Sequence, residues 1–482
     1  MCSIVGLQGN FKGNDIIKML KASKNRGPDS SGVFLDEIHT DINLDDFSDD
    51  NDYSIAFGHN LLSIYDLDDR ISKPQPTRND NLVLVFNGEI YNFHTIRNLL
   101  KKVGVTAEIT SDADALLYLI DSYNKGDLVS AIQLATRLVD GDYAFAVYDG
   151  ENLALVRDPL GVKPLFYSRD GINFGFASSA LSLKEVGFSD INTLKPEHIL
   201  FNGEDISPAQ HLWEKIQDGD VAKIGKMLKL SVVKRVEGLT EVGVIFSGGI
   251  DSSYLALLLK EISKNVPLKI KLYAVGVEGS KDVEAAIYAS KFLNLDLEIC
   301  EVNENMIRDA LPSVVKAIGD DNLMKVGVGL TTYFATKLVA KDGIKVAISG
   351  QGADELFGGY KRYLQNFVDG SLNWTLREDM SNMYHVNLER DDACSMLNSV
   401  ELRLPFLDKK LVELVLNIPD NKKIVSMHDD MRKSILRKIA FEEGLDYEIA
   451  YRPKKAAQYG TGIDKILRKK IVKDTDISQY LN

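Results

Sequence analysis

The sequence is poor in residues that would brace a fold covalently or through a metal. Three cysteines occur in 482 residues: Cys2, Cys300 and Cys394. Their wide spacing and odd number exclude a disulfide framework and a zinc cluster, and fit a reducing cytoplasm. Positive charge is also scarce. Lys and Arg number 57 against 70 Asp and Glu, for a net charge of −13. That balance argues against a general nucleic-acid or anionic-membrane binder, so no nucleic-acid and no membrane partner is expected. No apolar run approaches the ~20 residues that span a bilayer. The N-terminus lacks the basic-then-apolar order of a secretory signal. What is present is ordinary for a globular protein: 45% hydrophobic and 26% charged residues. The length is too great for one core and predicts two or three domains.

Residues 1 to about 200 read as short β-like segments separated by turns, among them "NLVLVFNGEIYN", "GDYAFAVYDG", "NLALVRDPLG" and "INFGFASS". They are rich in β-branched and aromatic residues and punctuated by Gly, Asn and Asp. Two helical stretches, 92–103 and 112–122, interrupt them, which predicts layered sheets rather than βαβ units. The acidic stretch 36–52 reads as a solvated loop. Around 203–225 the pattern changes. An amphipathic helix over "VAKIGKMLKLSVVKRVEG" leads into strands at "EVGVIF", "KIKLYAVG", "DLEICEV" and "IKVAISG", with helices between them. That alternation predicts a parallel sheet with crossover helices. Residues 354–482 read as largely helical.

"FSGGIDSS" places Ser247, Gly248 and Gly249 after a strand and before a helix that begins near Asp251. A small-residue turn lets the backbone wrap an anion, and the helix N-terminus offers unpaired N–H groups to it. No lysine follows the glycines, so this is not a Walker-type loop. "ISGQGADELFGGY" repeats the arrangement with Ser349 and Gly350 at a strand end, followed by Asp354 and Glu355. An Asp-Glu pair is usually a solvated helix start. Beside a phosphate site, Asp251 and Asp354 become a candidate Mg²⁺ pair, because that ion takes carboxylate and phosphate oxygens. "RPKKAAQYGTG" reads either as a basic surface loop or as a lysine source for charge developing during transfer. At the other end, Cys2 is small enough for Met1 to be removed. Its own α-amine would then sit beside the thiol as a base. Asn87 and Gly88 in "FNGEIYN" can form an oxyanion hole, and Glu89 and Asp112 can hold an ammonium.

Cys2, "RGPDSSG", "FNGEIYN", "SDADALL", "RDPLGVKPLFY" and "FASS" together resemble the glutaminase domain of class II glutamine amidotransferases. "FSGGIDSS", "SGQGADELFGGY", "ELRLPFLD" and "RPKK" are similar to the synthetase domain of the glutamine-hydrolysing asparagine synthetase family. The resemblance implies an N-terminal-nucleophile hydrolase domain, an αββα sandwich, over residues 2–205. It implies an α/β parallel-sheet ATP-pyrophosphatase domain with a helical C-terminal part over 220–482. Cys2 would attack the glutamine amide, with the oxyanion on Asn87 and Gly88, and Glu89 and Asp112 would hold the substrate. ATP would lie on Phe246, Ser247, Gly248, Gly249, Asp251, Ser252, Val275, Ser349 and Gly350, with Mg²⁺ on Asp251 and Asp354. Aspartate, or in related ligases another small carboxylate, would be adenylated. Ammonia would then reach it through a shielded path, with Lys454 stabilising the transfer. A homodimer is among the assemblies the resemblance allows.

Two positions depart from the family pattern. "GHNLLSI" has Leu61 where the family carries an arginine that clamps the glutamine α-carboxylate. Arg26, Arg70 and Arg78 are the candidate substitutes, unless glutamine binds weakly and free ammonia is used. "SGQG" has Gln351 where the family carries a glutamate. An amide cannot act as a general base, so Glu401 is the candidate to take the proton, unless the acceptor is not aspartate.

Overall fold

The computed structural model describes residues 2–67, 70–208, 219–453 and 460–481. The chain divides into two compact units, residues 1–209 and 210–482.

The first unit contains a seven-stranded and a six-stranded sheet. Alternation along their strands sends side chains to two different cores. Ile4, Phe57, Phe176, Val85, Ala144 and Leu155 share one core, built from the facing sides of the two sheets. Val5, Leu7 and Ala56 on the opposite side of the first sheet pack with Ile16, Met19 and Leu20 of the helix Gly13–Ala22. Leu84, Phe86, Phe145 and Val156 on the far side of the second sheet pack with Ile96, Leu116, Ile120 and Ile132. Those four come from the helices Phe93–Lys102, Asp112–Tyr123 and Leu128–Leu138. Helix, sheet, sheet and helix therefore stack in that order, which is the αββα sandwich. All sheet pairings are antiparallel. The helices Gly13–Ala22 and Leu128–Leu138 add to the two that the sequence pattern predicts. The acidic stretch 36–52 is not wholly loop, because Glu37–His39 extends the sheet edge.

The second unit is built on a five-stranded parallel sheet. Its central strand is Glu241–Ile245, with Lys269–Gly276 then Asp296–Glu301 on one side. Val346–Ile348 then Glu401–Arg403 lie on the other. Residues after 354 are largely helical, as the sequence pattern predicts, with the three-residue strand Glu401–Arg403 among the helices. Strand order reverses at the central strand, and the crevice outside its carboxyl end is the binding position of open α/β sheets. Among the described residues no helix is long and apolar enough to cross a membrane.

Candidate active site

Cys2 leads directly into the strand Ser3–Lys12, the middle strand of the seven. Its backbone N–H donates to Asn87 Oδ1 at 2.9 Å. Asn87 lies on the strand Val83–Ile90 of the other sheet and is fully buried. That bond fixes the polarity of the amide, since only an oxygen accepts from an N–H. Nδ2 of Asn87 is thereby turned away and has no hydrogen-bond partner among the described residues. A buried donor without a partner costs about 1–3 kcal/mol, so its persistence calls for an occupant. Gly88 next to it admits no side chain, because a Cβ would come within 2.3 Å of the Asp142 carbonyl oxygen. Arg26 Nε reaches the Cys2 carbonyl oxygen at 3.4 Å. His59 is fully buried, and burial above all pushes its pKa down to about 3.

Cys2, Gly88, Glu89 and Asp112 line one cleft together with Leu61, Tyr65 and Lys73. Glu89 and Asp112 share a buried cation, Arg70. Its Nη2 bonds Glu89 Oε2 at 3.0 Å and Asp112 Oδ2 at 2.7 Å, and its Nε bonds Asp112 Oδ1 at 3.1 Å. Burial works against the charge, but Asp112, Tyr65 and Glu89 more than offset it and raise the Arg70 pKa above its ordinary value. Of the three candidate substitutes for an arginine at 61, Arg70 bonds both members of the acid pair. Arg78 pairs on an outer strand with Val83.

In the second unit the central strand runs into Phe246, Ser247, Gly248 and Gly249, and the helix Ile250–Ser263 follows. Gly249 caps that helix without a side-chain bond, so its first N–H groups face the turn uncapped. Ser247 N and Ser252 Oγ lie 3.3 Å apart across the turn. Gly248 has φ +65°, and a Cβ there would meet the Ala285 carbonyl at 2.4 Å. Gly248→Ala is therefore expected to force the turn to rebuild and to lower the midpoint of urea unfolding, as circular dichroism would measure. Val275 is buried near the end of the neighbouring strand. Gly350 lies against Asp251, at 3.0 Å from a built Cβ to the Asp251 Cβ, so the two small-residue turns meet at one sheet edge. Ser349 N donates to the Arg403 carbonyl oxygen at 3.1 Å.

The fold brings Asp251 and Asp354 together, and a residue that sequence reasoning missed lies between them. Lys433 Nζ is 2.7 Å from Asp251 Oδ2 and 2.7 Å from Asp354 Oδ1, with its side chain fully buried. Lys433 and Arg432 are consecutive non-glycine residues with φ 52° and 52°. A strained backbone of this kind persists where the surroundings over-determine it, commonly at functional sites. That strain was the only local signal, and it is invisible in sequence. Arg452, the first residue of "RPKK", reaches the same loop, with Nη1 3.4 Å from the Ser247 carbonyl oxygen. Lys454 lies outside the described residues. Glu401, the candidate proton acceptor, is wholly buried against Arg403 at 2.9 Å. The buried carboxyl beside Asp354 is Glu355, which accepts from Tyr360 Oη at 2.6 Å and Asn387 Nδ2 at 2.7 Å. Burial, then the Asp354 charge, push its pKa up.

Comparison with known proteins matches the two units to two family descriptions. Residues 1–229 match a glutamine amidotransferase domain, and 223–373 with 366–476 match asparagine synthase. A Methanocaldococcus jannaschii protein named putative asparagine synthetase (glutamine-hydrolyzing) 1 is 36% identical, over 97% of this chain and 95% of its own. Asparagine synthetase B (glutamine-hydrolyzing) of Escherichia coli is 26% identical over 96% of this chain and 83% of its own. Asparagine synthetase (glutamine-hydrolyzing) 3 of Bacillus subtilis is 26% identical over 91% and 83%. With a cysteine-led cleft on an αββα sandwich, two facing small-residue turns on a parallel sheet, and a relative alike from end to end, the chain belongs to the glutamine-hydrolysing asparagine synthetase family.

Proposed function

We propose that this protein makes asparagine from aspartate at the expense of ATP, using nitrogen taken from glutamine. Residues 2–205 act as the glutaminase and 220–482 as the synthetase. With Met1 removed, the Cys2 α-amine takes the thiol proton, and the thiolate attacks the side-chain amide carbon of glutamine. The developing oxyanion is met by Asn87 Nδ2 and the Gly88 N–H, and Glu89 and Asp112 hold the substrate ammonium. The amine returns the proton to the leaving nitrogen, ammonia departs, and water cleaves the thioester to glutamate.

In the synthetase, Ser247, Gly248, Gly249 and Ser252 with the helix N-terminus hold pyrophosphate, and Ser349 and Gly350 lie beside them. Phe246 and Val275 flank the nucleoside. The aspartate side-chain carboxylate attacks the α-phosphorus and pyrophosphate leaves. Ammonia then attacks the acyl carbon of the adenylate, AMP leaves, and the excess proton passes to a base. Lys454 stabilises charge in that transfer. Asp251 and Asp354 would hold Mg²⁺. Two carboxylates facing a phosphate turn suit an ion that completes its shell with phosphate oxygens and water. Such an ion, when bound, neutralises charge on the departing pyrophosphate. Lys433, ion-paired to both carboxylates, would share them with such an ion.

The observation that carries this reading is the uncommitted, buried Asn87 Nδ2 beside an N-terminal cysteine. Tyr360 hydrogen-bonded to Glu355 supplies a proton-accepting pair close to Asp354, where Gln351 cannot serve. The test is product analysis by mass spectrometry with amide-¹⁵N glutamine, ATP and a panel of amino-acid carboxylates. Labelled asparagine together with AMP is expected. A labelled amide of another acid, with none from aspartate, would move the assignment to a sister ligase acting on that acid. Intact mass is the companion measurement, since retained Met1 would remove the base.

A further inference from the structure

The helix Lys281–Leu293 buries Val283, Ala286, Ala289 and Leu293 on one side. A helix whose other side meets water carries polar residues there. Here Ile287, Tyr288 and Phe292 stand on that side, 36%, 49% and 43% exposed. With Glu284 and Lys291 they fall at i, i+3, i+4, i+7 and i+8, one continuous stripe. The patch extends onto the next segment of the unit. Tyr288 Oη donates to Asp446 Oδ1 at 3.1 Å, and Tyr447 beside it is exposed. The Tyr447 ring lies 6.0 Å from that of Phe441, which is exposed as well. At ~200 Å² for a large side chain, these five residues present roughly 450 Å² of apolar surface. A patch of that size is commonly an interaction site. It is also a little over half of the ~800 Å² that each partner buries in a standard interface, the usual apolar share.

We propose that this face is where two copies of the chain meet, with the helix Lys281–Leu293 packed antiparallel on its mate across a two-fold axis. Charge is what selects a second copy as the occupant. The exposed charges on the helices Lys281–Leu293, Ser434–Glu442 and Tyr447–Ala450 are Lys281, Lys291 and Lys438 against Glu284, Glu442 and Glu448. A basic or an acidic partner calls for a face of one sign. A two-fold contact calls for both signs, because residue i meets residue j and j meets i. Their placement on the helix fits that rule. Glu284 and Lys291 stand three residues before Ile287 and three after Tyr288, about 5 Å along the axis on either side of the midpoint between those two. A two-fold axis through that midpoint brings Glu284 of each copy level with Lys291 of the other, twice. Exposed pairs of this kind add little affinity but fix register and orientation. The apolar residues between and beside them supply the binding.

The test is sedimentation velocity of the full chain across nanomolar to micromolar concentration. The wild-type protein is expected at twice the chain mass at micromolar concentration. Ile287→Glu and Phe292→Glu each place a charge in the apolar centre and are expected to raise the dissociation constant on the order of 100-fold. Both positions face solvent in the single chain, so the midpoint of urea unfolding, extrapolated to the dissociated protein, should not fall. E284K and K291E each set like charges opposite one another and should weaken the dimer about tenfold. The double variant E284K/K291E restores opposite pairs and should recover it. A wild-type chain that stays monomeric, or a dimer that survives both Ile287→Glu and Phe292→Glu, would overturn the proposal. A double variant as weak as its singles would overturn the two-fold pairing of the helices.

Discussion

Cys2→Ala abolishes glutamine-dependent ammonia release, with an expected loss on the order of 10⁴-fold or more, while AMP formation from ATP, aspartate and added ammonia continues. The size follows from the chemistry. On the proposed mechanism one residue supplies both the nucleophile and, through its amine, the base, and knocking out one member of such a unit removes nearly all of its effect. Alanine keeps the backbone N–H that bonds Asn87 Oδ1, so the proposed oxyanion donor stays in place and the loss reports on the sulfur alone. Cys2→Ser is the sharper comparison. It keeps a nucleophile of similar shape but with a far less acidic hydrogen, and is expected to be nearly as inactive. Glutamate release at saturating glutamine, beside ammonia-driven AMP formation, measures both halves. Retained glutamate release in Cys2→Ala would remove the thiol from the mechanism.

Arg403→Met is expected to destabilise residues 210–482 by about 3–5 kcal/mol, because it removes a charge partner from the wholly buried Glu401. Both side chains are wholly buried and 2.9 Å apart, and Arg403 Nη1 also donates to the Arg235 carbonyl oxygen at 2.7 Å. The pair lies on the short edge strand that flanks Val346–Ile348, whose end carries Ser349 and Gly350. Replacing both charges, as in E401M/R403M, is expected to lose much less than Arg403→Met alone, since burying an ion pair costs almost what its attraction returns. The measurement is the midpoint of urea unfolding followed by circular dichroism. If Glu401 were instead the proton acceptor in amide transfer, Glu401→Gln would lose activity with an unchanged midpoint. A fall in the midpoint that tracks the loss of activity assigns it to the scaffold.

The parts of the site that were legible in sequence are those whose logic is local. "FSGGIDSS" carries its own strand, turn and helix start within a dozen residues. Asn87 and Gly88 are neighbours on one strand, and Cys2 is singled out by its position. The β-branched and aromatic segments of the first two hundred residues, interrupted by few helical stretches, predict layered sheets, and the clusters above are their direct product. What sequence did not show is pairing over distance. Lys433 stands 182 residues from Asp251, and nothing in "MRKSILRK" separates it from a surface lysine until the backbone turns left-handed. Arg70 is one of several arginines until Glu89 and Asp112 close on it. Glu401–Arg403 is a three-residue strand, too short to display a period of two. The helix Leu128–Leu138 does place Leu128, Ala131, Ile132 and Ala135 at helical spacing, but two of its four core positions are alanine and the stripe is faint.

The single bond from the Cys2 backbone nitrogen to Asn87 Oδ1 has a consequence for how the enzyme comes alive. The bond needs one hydrogen on that nitrogen, and an amide supplies it as well as an amine does. On the proposed mechanism, a newly made chain that still carries Met1 would already have Asn87 turned to receive the negative charge. What it would lack is the free α-amine proposed to take the thiol proton. Trimming one residue would then arm a cavity already finished at birth.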